Sequence, residues 1–181
     1  MNSWAKQKGF TIVELLIVIV VIGILAAITI VAYNGVQSRA RTTTVHADVN
    51  QLRKAVQILG VDTSKRPFGC SIGDGAADPE GFITSANAGV MTRPVPGNTG
   101  GCVWTQADAD AWKGPYFSQA VDPWGRAYFY DNDFLVCESG TVKVIVAVLS
   151  VGPNGVEEYP TSSTSSPCTS ITVDDVYEVV Q

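Results

Sequence analysis

Histidine is almost absent from this chain: His46 is the only one among 181 residues. Ser-His-Asp and Cys-His catalysis both need a histidine as the base, and His46 falls in a helical pattern, apart from any such arrangement. A glycine-rich phosphate loop and a dinucleotide-binding fingerprint are also missing from the sequence. The chain is therefore predicted not to be an enzyme.

The cysteines lack the C-x-x-C spacing of metal and redox sites. With one histidine available, a zinc site would need an unusual ligand set, so disulfides in an oxidising compartment are the better interpretation. Four cysteines allow three pairings. The sequence favours Cys70–Cys102 and Cys137–Cys168, because each pair closes an irregular loop of roughly 30 residues, and cross-linking such a loop contributes about 3 to 4 kcal/mol.

Basic residues are scarce beyond residue 66. Residues 67–181 carry four basic and fourteen acidic side chains, whereas residues 39–66 carry six basic and two acidic ones. So acidic a C-terminal part argues against nucleic-acid binding, which depends on neutralising phosphates. The basic segment at residues 39–66 either complements the acidic parts of neighbouring copies or is a solvated helix face.

Charge is missing altogether from the 24 residues that run from Leu15 to Ser38. About 20 apolar residues suffice for a helix to cross the hydrocarbon layer of a bilayer, so this segment can span a membrane. Glu14 precedes it directly. Because a carboxylate at membrane depth costs about 2.5 to 3.5 kcal/mol, Glu14 is predicted to have a function and a partner, unless it lies in the headgroup layer.

Two ordinary explanations of this N-terminus fit less well. A secretory signal peptide has an apolar core of about 7 to 15 residues and a cleavage site at its far end; here the apolar run is longer, and such a cut would discard the best-formed helix. A plain membrane anchor fits the length but leaves Glu14 unexplained. Its orientation is not settled, because basic residues flank both ends of the run.

The residues before and around Glu14 resemble the prepilin signal of type IV pilins and of type II secretion pseudopilins. In KQKGFTIVELL, a basic leader is followed at fixed offsets by Gly9, Phe10 and Glu14, ahead of an apolar helix. The resemblance implies that a prepilin peptidase cuts between Gly9 and Phe10 and methylates the new N-terminus at Phe10. It also implies that Glu14 pairs with the N-terminal amine of the next subunit in a filament, because a buried carboxylate is tolerable beside a buried ammonium.

Apolar residues recur at helical spacing beyond the uncharged segment, at Val45, Val49, Leu52, Val56 and Leu59. They predict an amphipathic helix that packs on a sheet and ends near Gly60. Farther along, Thr105 and Asp108 predict a capped short helix that runs through Trp112.

Three strands are predicted in the head, at residues 126–130, 134–138 and 141–151, with Asp131-Asn132-Asp133 and Ser139-Gly140 as the turns. The predicted fold class is α+β: a long N-terminal helix packed against a small antiparallel β-meander, as in pilins. The predicted segments are a leader at 1–9, a membrane-spanning or filament-core helix at 10–33, an amphipathic helix of the head at 34–60, and a globular β head with long loops, including 67–101, at 61–181.

The head resembles the globular domain of major pseudopilins in three motifs: GPY at 114–116, DPWG at 122–125, and S-x-G-x-x-G from Ser150. In that group a loop near the chain end binds Ca²⁺. The resemblance implies a candidate calcium site, whose ligands would be the carbonyls of Leu149 and Ser150 and the side chains of Asn154, Asp174 and Asp175. The alternative is that the two adjacent aspartates cap a terminal helix or form a solvated acidic pair.

The function that the resemblance implies is a structural subunit of a type IV pilus or related surface filament, used for adhesion, twitching motility or DNA uptake. One alternative is a pseudopilin of a type II secretion-like system. An alternative of another class is a membrane-anchored binding module that never polymerises.

The resemblance also implies partners and a location. The partners would be further copies, related minor pilins, the prepilin peptidase, and a membrane assembly platform with its ATPase. Before assembly the chain would cross the cell membrane once, in contact with lipid and with its N-terminus in the cytoplasm. It would then enter an extracellular pilus or an envelope pseudopilus.

Overall fold

A computed structural model describes residues 9–71, 79–98, 102–157, 168 and 175–180. The chain forms two compact units, one that ends at Thr42 and one that begins at Thr43. The predicted leader lies almost wholly outside the described residues, and the predicted segment boundaries stay predictions. The helices and strands, in chain order, are α1 (Ile12–Thr63), β1 (Gly81–Phe82), β2 (Gly97–Asn98), β3 (Val103–Trp104), α2 (Gln106–Ala111), β4 (Phe129–Glu138), β5 (Thr141–Ser150) and β6 (Val176–Val179), with 3₁₀ turns at Pro67–Gly69 and Ala86–Ala88.

Helix α1 ends three residues later than the sequence predicts, at Thr63 instead of Gly60. The Thr63 hydroxyl donates to the Leu59 carbonyl at 2.7 Å, and the Ser64 amide donates to the Gly60 carbonyl at 2.8 Å. Ser64 then adopts a φ of 56°, and a residue in this left-handed region is a common way to end a helix. The helix thus continues about one turn past Gly60, because these contacts complete the last turn without a glycine.

The amphipathic stripe of α1 is confirmed as the helical side of the core. Its five predicted apolar residues are at most 2% exposed and pack with Trp104, Tyr128 and Tyr130. The Tyr128 hydroxyl donates to Asp48 Oδ2 at 2.8 Å, so one buried hydrogen bond joins the helix to the strand side of the head. Burial, followed by this bond to Asp48, raises the pKa of Tyr128, and the phenol therefore stays protonated as the donor.

The main sheet is antiparallel with strand order β1-β4-β5-β6, which confirms the α+β prediction. The turn predicted at Asp131-Asn132-Asp133 is wrong, because β4 runs unbroken through it. Asp131 pairs with Ala147 and Phe134 with Ile145, so β4 has one residue more than β5 across this stretch. One extra residue makes a β-bulge. The Asp133 amide donates to Asp131 Oδ1 at 2.8 Å. The backbone therefore bends locally at these residues and does not reverse direction.

The second predicted turn is confirmed. Ser139 and Gly140 have φ values of 54° and 78°, and they connect β4 to β5 where Glu138 pairs with Thr141. Two positive φ values suit the tight hairpin turns whose twist matches that of the strands. The capped short helix is also confirmed: Thr105 and Asp108 form a capping box at the start of α2.

The disulfides join Cys70 to Cys102 and Cys137 to Cys168, the pairs that loop length favours. The first closes the loop of residues 67–101 beside Trp104, which is fully buried. The Trp104 indole donates to the Asn87 carbonyl at 2.7 Å. A fully buried ring with a bonded N–H attaches this irregular loop to the core that packs on α1.

Tyr128→Phe is expected to lower the free energy of unfolding by about 1 to 3 kcal/mol, because it leaves a buried Asp48 oxygen without its donor. Urea unfolding of the full chain in detergent micelles measures this loss. Tyr177→Phe is the matched control, since Tyr177 is 38% exposed on β6 and a surface change of this kind stays within about 0.5 kcal/mol. Equal losses in the two variants would contradict the assignment.

Candidate functional site

The residues of the N-terminal signal lie at the start of α1. Gly9 and Phe10 precede the helix outside regular structure, and the Phe10 side chain is 84% exposed. Glu14 lies in the first helical turn. The peptide bond between Gly9 and Phe10 is thus followed directly by a helix whose first turn carries the carboxylate.

Thr11 contacts Glu14, an interaction that the sequence analysis missed. Glu14 Oε2 accepts hydrogen bonds from the Thr11 amide at 2.8 Å and the Thr11 hydroxyl at 2.7 Å, and the Glu14 amide donates to Thr11 Oγ1 at 3.2 Å. This reciprocal pattern is a capping box, and T-x-x-E before an apolar run is its sequence signal. A carboxylate in the first turn also interacts favourably with the positive end of the helix dipole. These donors are neutral, so they solvate the charge of Glu14 without cancelling it.

The uncharged part of α1 presents apolar side chains on every side. Between Ile12 and Val36 the large apolar residues are 47% to 80% exposed. This helix is long and apolar enough to cross a membrane, by length and composition. A continuous apolar surface of this size marks a site of contact with lipid or with other protein chains.

Thr29 is a polar residue within this apolar surface. Its hydroxyl donates to the carbonyls of Leu25 and Ala26, both at 3.0 Å. The helix therefore satisfies this donor by itself. A donor satisfied in this way is compatible with the hydrocarbon core of a membrane, where water cannot supply a partner.

The predicted calcium ligands have other contacts where the structure describes them. Leu149 and Ser150 pair with Tyr177 and Val176 in the sheet, and the Ser150 hydroxyl donates to Asp122 Oδ2 at 2.7 Å. Asn154 Oδ1 accepts from the Val156 amide at 2.7 Å. Asp175 is buried just before β6, and Asp174 lies outside the described residues. The calcium site at this loop stays a prediction.

The DPWG motif has a structural explanation. Asp122 is 4% exposed, and its Oδ1 accepts from the amides of Trp124 and Arg126, both at 2.9 Å. The Arg126 guanidinium in turn donates to the Gly152 carbonyl at 2.7 Å. The motif thus connects the turn before β4 to the loop after β5 through a carboxylate and a guanidinium.

Comparison with protein families finds one match at the N-terminus. The profile of the prokaryotic N-terminal methylation motif matches residues 4–30, the stretch that carries the predicted cleavage bond and Glu14. No solved structure matches the chain significantly.

Curated relatives extend the likeness beyond the N-terminus. The type IV wide pilus major component PilA4 of Thermus thermophilus is 37% identical over 117 residues, which are 61% of this chain and 87% of that protein. The type IV major fimbrial protein FimA of Dichelobacter nodosus is 35% identical over 108 residues, 58% of this chain and 66% of that protein. A probable minor fimbrial protein of the same organism is 34% identical over 102 residues, so the chain spans 64% of that relative's length.

Thr11→Ala is expected to weaken the start of α1, because it removes the hydroxyl that both accepts from the Glu14 amide and donates to its carboxylate. Losing a threonine cap costs about 0.5 to 2 kcal/mol, which corresponds to roughly a two- to thirtyfold faster exchange of the Glu14 amide hydrogen. Hydrogen exchange of the full chain in micelles measures it. Thr11→Ser keeps the hydroxyl and should retain the protection; loss of protection in the serine variant as well would refute the capping role.

Proposed function

The chain belongs to the type IV pilin family, and from this premise we propose that it is a structural subunit of a type IV pilus. The observation that carries the proposal is the first part of α1: an uncharged helical surface with Glu14 at its start, directly after Gly9 and Phe10. The three relatives reported above have pilus or fimbrial names, so a pilus is proposed here in preference to a secretion pseudopilus.

Processing is the first step of the proposal. A prepilin peptidase would cut between Gly9 and Phe10 and methylate the Phe10 amine. The match to the methylation motif supports this step, and so does the position of the bond, outside the helix and beside an exposed phenylalanine. The cut leaves the helix intact and creates a new amine four residues before Glu14.

Assembly is the second step. Before it, the uncharged part of α1 would lie in the cell membrane with its N-terminus in the cytoplasm, where lipid covers the apolar side chains. In the filament, the same side chains would pack against those of neighbouring copies. An assembly platform and its ATPase would drive the transfer, and related minor pilins would join the same polymer.

Glu14 would set the register of that polymer. Among the described residues of one subunit, the neutral donors of Thr11 are the ones that reach its carboxylate, although Glu14 lies beside an apolar surface. The Phe10 amine of an adjacent subunit would supply the missing positive charge. A charge-assisted hydrogen bond is about twice as strong as a neutral one, and an ion pair removes the penalty of two separate buried charges.

Glu14→Gln is expected to be cleaved and methylated normally but to reduce filaments by more than about tenfold. Breaking a buried ion pair by removing one partner costs about 3 to 5 kcal/mol, whereas glutamine still accepts the Thr11 hydrogen bonds. Electron microscopy and the sheared surface fraction measure filaments, and mass spectrometry measures processing. Glu138→Gln, an exposed carboxyl on β4 that pairs with Lys143, is the control. Filaments at the wild-type level in Glu14→Gln would overturn the proposed register.

Gly9→Leu is expected to leave the chain uncut, because a bulky side chain would occupy the space of the small residue at the cleavage bond. The product would keep its leader and stay in the membrane fraction, as intact-mass measurement of that fraction would show. Gly35→Leu is the matched control: like Gly9, Gly35 has no neighbouring atom within 4 Å of an added Cβ. Processing of Gly9→Leu to a mature chain that begins at Phe10 would contradict the cleavage assignment.

A further inference from the structure

Three carboxylates converge on the bulge of β4. Glu80, Asp131 and Asp133 each place an oxygen within 4.8 Å of the others. The sheet explains their approach. Gly81 pairs with Tyr130, so Glu80, the residue just before β1, lies opposite Asp131, and the extra bulge residue brings Asp133 to the same place. Like charges at adjacent positions of neighbouring strands destabilise a sheet.

Asp131 distinguishes this cluster from an ordinary acidic surface. Its side chain is fully buried, at 0% exposure, and its Oδ1 accepts from the Asp133 amide. Among the described residues, no amide, hydroxyl or basic group donates to its buried Oδ2, and its side-chain neighbours there are other carboxyls, Glu80 and Glu157 as well as Asp133. A buried carboxylate oxygen is costly unless a hydrogen bond, a counter-charge or a metal ion satisfies it.

Among the described residues, the basic side chains beyond residue 66 are engaged elsewhere. Each of these four side chains contacts another group. Arg93 pairs with Asp110, Lys113 with Asp62 and Lys143 with Glu138, and Arg126 donates to the Gly152 carbonyl.

The electrostatics of Glu80 agree with this picture. Although the residue is exposed overall, partial burial of its carboxyl group, followed by the nearby charge of Asp131, raises the pKa of Glu80 to about 7. Bringing three negative charges together is therefore unfavourable without a compensating positive charge.

We propose that Glu80, Asp131 and Asp133 bind a calcium ion at the bulge of β4. All three offer hard oxygen ligands, and Ca²⁺ takes six to eight oxygens in flexible geometry. Glu80 and Asp133 are exposed, so water can complete the coordination. Magnesium demands a near-ideal octahedron and gives up water reluctantly, which suits this irregular set less well. The site is separate from the loop ligands predicted from the sequence.

Binding would connect two parts of the head that the sheet joins over only two residue pairs. Glu80 lies in the segment that the Cys70–Cys102 disulfide closes, and β1, which follows it, is only two residues long. The aspartates belong to the central strand β4. Calcium would therefore hold the disulfide-bounded loop against the sheet, with the weak affinity of extracellular sites, on the order of 10⁻⁴ to 10⁻³ M.

Calcium titration of the full chain in micelles tests the proposal, at a pH above the pKa of Glu80 and starting from chelator-treated protein. Isothermal calorimetry should give one site in that affinity range, and the unfolding midpoint should rise with calcium but hardly with magnesium. Glu80→Gln and Asp133→Asn should each weaken binding at least about tenfold. Both replace exposed residues and remove repulsion, so the metal-free variants should fold at least as stably as the wild type.

Two further variants make the test decisive. Glu138→Gln also removes an exposed carboxylate from β4, but outside the cluster, and should bind calcium as the wild type does. The double change Asp174→Asn and Asp175→Asn addresses the loop site and should also leave binding unchanged. The proposal is overturned if the wild type shows no calcium effect, if binding survives in both cluster variants, or if only the loop variant loses it.

Discussion

The uncharged surface of α1 cannot be accommodated in water by a single chain. Fifteen large apolar side chains between Leu15 and Val36 are exposed, and burying each one fully is worth about 1.5 to 3 kcal/mol. Together these side chains outweigh the roughly 5 to 15 kcal/mol of net stability of a typical domain. Lipid before assembly and other copies afterwards are the two environments that remove this surface from water. Both require that the one carboxylate beside it, Glu14, be satisfied as well.

After Thr43, helix α1 buries most of its apolar residues within the same chain. Its apolar residues there are confined to one stripe, and the stripe is buried by the head's own sheet and loops. The Asp48–Tyr128 hydrogen bond lies within this packing and demands one orientation of the helix face. Apolar residues on all sides favour partners outside the chain, whereas a single stripe favours folding within it. The change in sequence pattern alone separates the polymerising segment from the folded head.

Periodicity and loop length carried most of the sequence predictions. The stripe, the capping box of α2 and the hairpin at Ser139-Gly140 are local patterns, so the sequence contains them in full. The Asp131-Asn132-Asp133 turn was wrong because turn-forming composition is shared by turns and bulges, and only the register with β5 distinguishes them. Strands β1 and β2 have two residues each, too few to show any periodicity. The acidic cluster could not be predicted, since Glu80 and Asp131 are far apart in sequence and only the sheet brings them together.

Buried acids show how this acidic head remains stable. Asp48 accepts from a phenol, and Asp122 accepts from two amides and a serine hydroxyl. In both cases the chain itself supplies neutral donors to the carboxylate, and no basic side chain is needed beside it. At Asp131 an amide donates to Oδ1, but no amide or hydroxyl among the described residues donates to Oδ2. Asp131 differs from Asp48 and Asp122 in that two further carboxylates lie beside it, and a cation bound at the bulge would satisfy its remaining oxygen.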